Sequence, residues 1–216
     1  MADGLLTAAM ISILALSESL GGTADVPIPE PPKTEEAGWE YSVSTSTYLA
    51  LDSQDYSNPT ITADHGWLHL EARYNYEALK TGSVWLGYNF STGDKLALGF
   101  TPMIGGVFGN STGVAPGYMI TASYGPVEFF TQGEYFIDAG THSENFFYNW
   151  SELSVAPVEW FRVGLVLDRT KTLGSDIDIR RGPLVGFTYQ KVDFTTYWLS
   201  PGSTDQIFVF AVTLNF

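Results

Sequence analysis

From Trp39 to Phe216 the chain alternates apolar and polar residues in segments of about ten, separated by clusters of Gly, Asp, Asn, Ser and Pro. Successive side chains of a strand point to opposite faces, so this period of two predicts strands with one apolar and one polar face. The pattern predicts about twelve of them, with no helical stretch between. They begin near Glu40–Leu49, Thr60–Asp64, Trp67–Tyr76, Val84–Phe90, Leu96–Phe108 and Gly117–Tyr124. They continue near Val127–Phe136, Tyr148–Ala156, Phe161–Thr172, Arg180–Gln190, Asp193–Leu199 and Ile207–Phe216.

The third segment divides most cleanly. Leu68, Leu70, Ala72, Tyr74 and Tyr76 form one face, and Trp67, His69, Glu71, Arg73 and Asn75 the other. The ninth sets Val163, Leu165 and Leu167 against Arg162, Gly164, Val166 and Asp168. The tenth sets Val185, Phe187 and Tyr189 against Arg180, Gly182, Gly186, Thr188 and Gln190. In the seventh, Glu128, Gln132 and Glu134 share their face with Phe130 and Phe136; in the eighth, Glu152 shares its face with Trp150. The last segment sets Phe208, Phe210, Val212, Leu214 and Phe216 against Ile207, Val209, Ala211, Thr213 and Asn215.

The connections alternate between minimal turns, such as His65-Gly66, Gly125-Pro126 and Lys191-Val192, and longer loops, such as Asp52–Asn58, Gly109–Pro116 and Ser200–Asp205. An even strand number then leaves both ends of the domain on the short-turn side. Aromatics gather at the strand ends: Phe90, Tyr124, Phe161, Tyr189, Phe194 and Phe216 beside short turns, and Tyr76, Phe108, Tyr135, Trp198 and Phe208 near longer loops. Two such bands match the girdles that flank a lipid-facing belt.

Composition sharpens this picture. Apolar residues make up 44% and charged residues only 16%, below the roughly 25% charged content of soluble domains. Yet no apolar run reaches the ~18 residues of a spanning helix. A barrel that spreads its apolar residues over alternating strands reconciles the two. The formal net charge of −14 argues against nucleic acid as a partner, because phosphate binding needs clustered Lys and Arg. There is no Cys, which excludes disulfides and Cys-based metal sites.

Ahead of the alternating region lie two other textures. Leu5–Leu16 is an apolar, helix-prone run with the length of a signal-peptide core, and Gly22-Thr23-Ala24 offers small residues for cleavage after Ala24. Asp3 stands where a positive residue is expected; the alternative is an amphipathic helix that stays attached. Residues 25–38, with Pro27, Pro29, Pro31 and Pro32, read as an extended linker. The domain division is therefore 1–24 signal-like, 25–38 linker and 39–216 barrel.

A terminal strand Gln206–Phe216 with an aromatic final residue resembles the closing strand of the bacterial outer-membrane β-barrel superfamily. The resemblance implies an all-β fold: a closed, antiparallel, up-and-down transmembrane barrel of about twelve strands. It implies the outer membrane of a Gram-negative bacterium, with short turns periplasmic. Outer-membrane lipid and, through the C-terminal strand, the barrel-assembly machinery are the implied partners, with small solutes or ions as cargo. A soluble lipocalin-like ligand-binding barrel would use the same alternation with the apolar face inward. The small polar residues of the polar face favour the membrane arrangement. Arg169, Lys171 and Arg181 share the apolar face's parity, so they belong at the outer headgroup level, within reach of anionic lipid groups.

The expected lumen-lining charged network is His69, Glu71, Arg73, Glu128, Glu134, Glu152, Arg162, Asp168, Arg180 and Asp193, with Glu40 beside it. Charges confined in a narrow bore demand partners. They can brace the wall as ion pairs, or line an acidic pore with cation preference. No catalytic residue, cofactor or metal is expected. A zinc site is disfavoured by three scattered His, at 65, 69 and 142. An outer-membrane lipid-acting enzyme is the alternative reading, although His142-Ser143 is adjacent rather than spaced as His-x-Ser. The leading expectation is a non-enzymatic, porin-like barrel acting as a narrow channel.

Overall fold

The computed structural model describes residues 38–51, 54–140 and 144–216. The signal-like run, the linker up to residue 37, and the His142-Ser143 pair lie outside the described residues. Thirteen β-elements follow one another: β1 Glu40–Ala50, β2 Tyr56–His65, β3 Leu68–Tyr74, β4 Thr81–Tyr88, β5 Phe90–Thr92, β6 Leu96–Gly109 and β7 Gly113–Tyr124. Then come β8 Val127–Asp138, β9 Phe146–Val158, β10 Phe161–Thr172, β11 Ile177–Tyr189, β12 Val192–Leu199 and β13 Ile207–Asn215.

β4 and β5 are two halves of one barrel strand, both paired with β6 and interrupted at Asn89. The Asn89 backbone N–H still donates to Trp67 O at 2.7 Å, which carries the ladder past the break. Every strand pairs antiparallel with its chain neighbours, and β1 pairs with β13 from Ser42↔Asn215 to Ala50↔Ile207. The sheet therefore closes into a barrel of twelve strands. Closure removes the exposed edges that would otherwise offer unpaired N–H and C=O groups.

The apolar faces point outward. Ile61, Leu70, Val84, Leu86, Ile104, Leu165 and Phe210 are all exposed; Leu165 reaches 64% of its full accessibility. A soluble barrel would bury this face, so the lipocalin-like orientation is reversed here. Phe90, Tyr124, Tyr189, Phe194 and Phe216 ring the short-turn end, all exposed, with Phe161 packed on Phe187 at 5.3 Å beside them. At the other end Phe108, Tyr135 and Trp198 are exposed, and Trp198 stacks on Phe208 at 5.6 Å. A greasy belt between two aromatic bands is the surface that a bilayer requires.

The interior is more apolar than the sequence pattern suggested. Trp85, Met103, Val107, Ala115 and Phe136 form one inward cluster, and Tyr48, Trp150, Val166, Leu184, Tyr197, Leu199 and Val209 form another. Glycines on facing strands make room for the larger rings. A Cβ at Gly105 would lie 2.5 Å from the Trp85 indole, and one at Gly117 2.9 Å from it.

Candidate functional site: the bore

The first cluster of the bore is built on β3. Alternation turns His69, Glu71 and Arg73 inward, and all three are buried. Arg73 binds Glu71 through Nε at 2.8 Å and Nη2 at 2.9 Å, a bidentate pair with planar matching geometry. Its Nη1 reaches across the lumen to Glu134 Oε2 on β8 at 2.9 Å. The guanidinium also lies over the Trp85 and Tyr76 rings, 4.4 Å from each centroid. His69 Nδ1 sits 2.8 Å from Asp64 Oδ1, and Asp64 also accepts a bond from Asn89.

A second cluster stands on β9, β10 and β12. Glu152 Oε1 accepts bonds from Trp150 Nε1 and Tyr197 OH, each at 2.8 Å, and its Oε2 accepts from Arg162 at 3.1 Å. Arg162 also donates to Thr195 Oγ1 at 2.9 Å. Gly186 lies beneath the Arg162 stem, where a Cβ would be 2.7 Å from Cγ. Toward the longer loops, Arg180 bridges Asp178 at 2.7 Å and Asp168 at 3.9 Å. Toward the short turns, Asp193 accepts from Thr188 at 2.6 Å and Asn215 at 3.1 Å.

All ten residues of the expected charged network have inward parity. His69, Glu71, Arg73, Glu134, Glu152 and Asp168 are buried, while Glu128, Arg162, Arg180 and Asp193 are half-buried. The structure gathers them into separate clusters rather than one ring. Glu40 is exposed at the short-turn mouth.

Tyr76 is a correction. Its parity with Leu68 and Tyr74 placed it in the outer girdle, but its ring lies inside the bore. It packs edge-on against Tyr148 at 5.6 Å and bonds Gln132. The physical reason is Asn75, whose φ of 58° breaks the strand alternation one residue earlier. Asn75 also ties the β3–β4 loop down, donating to Ser57 O at 3.0 Å and accepting from Lys80 N at 2.7 Å. Glu77 of this loop accepts from Ser83 at 2.6 Å. Glu77 Oε2, Glu134 Oε1 and Asp168 Oδ1 are buried without a hydrogen-bond partner.

Sequence reasoning missed Trp85 and Tyr148 as bore residues. Trp85 sits in the run Val84-Trp85-Leu86, where apolar residues on both faces erase the alternation. The glycines opposite Trp85 were the available signal. It also missed an outward polar patch, where Asn149 Nδ2 donates to Thr131 Oγ1 at 2.8 Å and to Tyr118 OH at 3.2 Å.

No protein-family model matches this sequence, and no curated protein matches it. Solved structures do. KdgM porin in complex with disordered oligogalacturonate is similar at a TM-score of 0.58 and 9% identity, over 81% of this chain and 99% of that one. KdgM porin alone is similar at 0.57 and 10% identity, over 81% and 99%. At such identity the likeness is one of fold. The chain thus has a closed twelve-strand antiparallel β-barrel fold similar to that of KdgM porin.

Proposed function

We propose that this barrel is a narrow outer-membrane channel for small solutes, with preference for cations. The observation that carries the reading is the sign of the inner wall. Asp64, Glu71, Glu128, Glu134, Glu152, Asp168 and Asp193 face inward against Arg73, Arg162, Arg180 and His69. In a confined bore with low-dielectric walls, such an excess raises the local concentration of cations. The KdgM structure carries oligogalacturonate, a polyanion. The acidic wall of the present chain repels such a solute.

Tyr76, Trp85, Tyr148 and Trp150 project inward and take up space in the bore, so the expected conductance is small. The buried, fully bonded settings of Glu152 and His69 favour bracing over lipid-directed acid–base work.

Planar-bilayer recording tests the reading. The expected result is a small current whose reversal potential in a KCl gradient reports cation selectivity, unblocked by oligogalacturonate. Tyr76→Ala widens the bore and raises the conductance. Silence from both the natural protein and Tyr76→Ala rejects a channel, and anion selectivity rejects the acidic-wall argument.

A further inference from the structure

The outer wall of β8–β11 carries a groove of about 700 Å³ that opens beside the longer loops. Two registered rows of outward side chains build it. Phe129, Leu153, Leu165 and Pro183 pair across the four strands as an apolar row. The next row toward the loops contributes Ser151, Leu167 and Arg181. The concavity follows from the way β11 leaves its neighbour. The β12 backbone crosses close over Gly182, where a Cβ would lie 1.7 Å from Trp198 O, and the β11–β12 ladder begins only at Leu184, so the loop bearing Ser200 and Ser203 flanks the groove.

Arg181 stands at the rim. Its carbonyl accepts from Ser200 N at 2.9 Å, which sets it level with the β12–β13 loop and just outside the Trp198–Phe208 girdle. Among the described residues it has no ion-pair partner.

Charge on this wall has one sign. Arg169, Lys171 and Arg181 are three of the chain's ten Lys and Arg residues, and all point outward here. No Asp or Glu lies on the outward face of β9, β10 or β11. In a chain with 24 acidic residues, that is a local inversion of the overall charge. Arg169 leans on Phe147, 5.6 Å from its centroid, and its buried Nε has no hydrogen-bond partner. An apolar trough that ends in the Arg181 guanidinium, with Arg169 and Lys171 on the same face nearer the loops, complements a molecule with a hydrocarbon tail and an anionic head.

We propose that this groove binds one phosphate-bearing lipid of the outer leaflet, with an acyl chain on Phe129, Leu153 and Leu165 and the phosphate on Arg181. The inference rests on the membrane placement and not on the channel reading, because lipid binding is measured without current.

Native mass spectrometry of the full chain in detergent, titrated with lipid A, tests it. Retention of one lipid per barrel is expected, weakened about fivefold when the lipid is dephosphorylated or Arg181 becomes Gln. Leu165→Trp fills the trough and is expected to lose the lipid while leaving the strand content by circular dichroism unchanged. Equal retention of dephosphorylated lipid A by the natural protein overturns the proposal, and this arm requires no variant to fold. Displacement by inorganic phosphate alone also overturns it, since the groove would then be a free-anion site. Undiminished binding by a folded Leu165→Trp does the same.

Discussion

Arg73 holds two carboxylates and two aromatic rings at once. Its removal leaves Glu71 and Glu134 buried without their cation. Arg73→Ala is expected to destabilise the barrel by about 3–5 kcal/mol, measured by urea unfolding in lipid vesicles. Glu134→Gln should cost clearly less, because Glu71 still neutralises the arginine; equal losses would mean that the cross-lumen pair dominates. Gly105 offers a packing test of the same region. A valine there meets the Trp85 ring, and overpacking of this kind costs about 1–3 kcal/mol. At this scale the sequence was legible wherever alternation was clean, as at His69, Glu71 and Arg73. It was opaque where both faces are apolar, as at Val84-Trp85-Leu86, since periodicity carries no face information there.

Among the elements, the β3–β4 loop departs most from a plain hairpin. It folds inward because Asn75 adopts a left-handed conformation and bonds both β2 and the far side of its own loop. Asn tolerates this backbone region better than most residues. Asn75→Ala should therefore loosen Tyr76 and produce more frequent opening steps in single-channel records; an unchanged record would place the constriction entirely in the walls. The readings Leu96–Phe108 and Phe161–Thr172 match β6 and β10 to within a residue, whereas β2 and β7 start four residues before the expected Thr60 and Gly117, inside stretches read as loops. Two further missed details, the interruption at Asn89 and the swing of Tyr76, lie where side-chain bonds override the period of two. Asn89 donates to Asp64 and accepts from Thr101, which holds its side chain in the bore.

For the molecule as a whole, the division between a greasy outside and a charged inside governs stability. Ile104 lies near the middle of β6 on the outward face. Ile104→Arg should cost about 2–4 kcal/mol in a bilayer, whereas Arg181 lies at the rim, where a cation is tolerated. A vesicle refolding assay that found Ile104→Arg neutral would contradict the membrane placement of this belt. Architecture and strand orientation were legible because twelve segments repeat one pattern. The apolar filling of the bore was not, because Leu184, Leu199 and Val209 look in sequence like any other strand residues.

The seam between β1 and β13 is a ladder like every other in the wall. Tyr41 and Phe216 exchange both backbone bonds across it, at 2.9 and 3.4 Å. The cylinder consequently has no structural beginning: its first strand is first only by the accident of where synthesis starts. A permuted gene that joins Phe216 to Trp39 through a short linker and opens the chain at Gly125-Pro126 should yield the same tube, recognisable by an unaltered current and gel mobility.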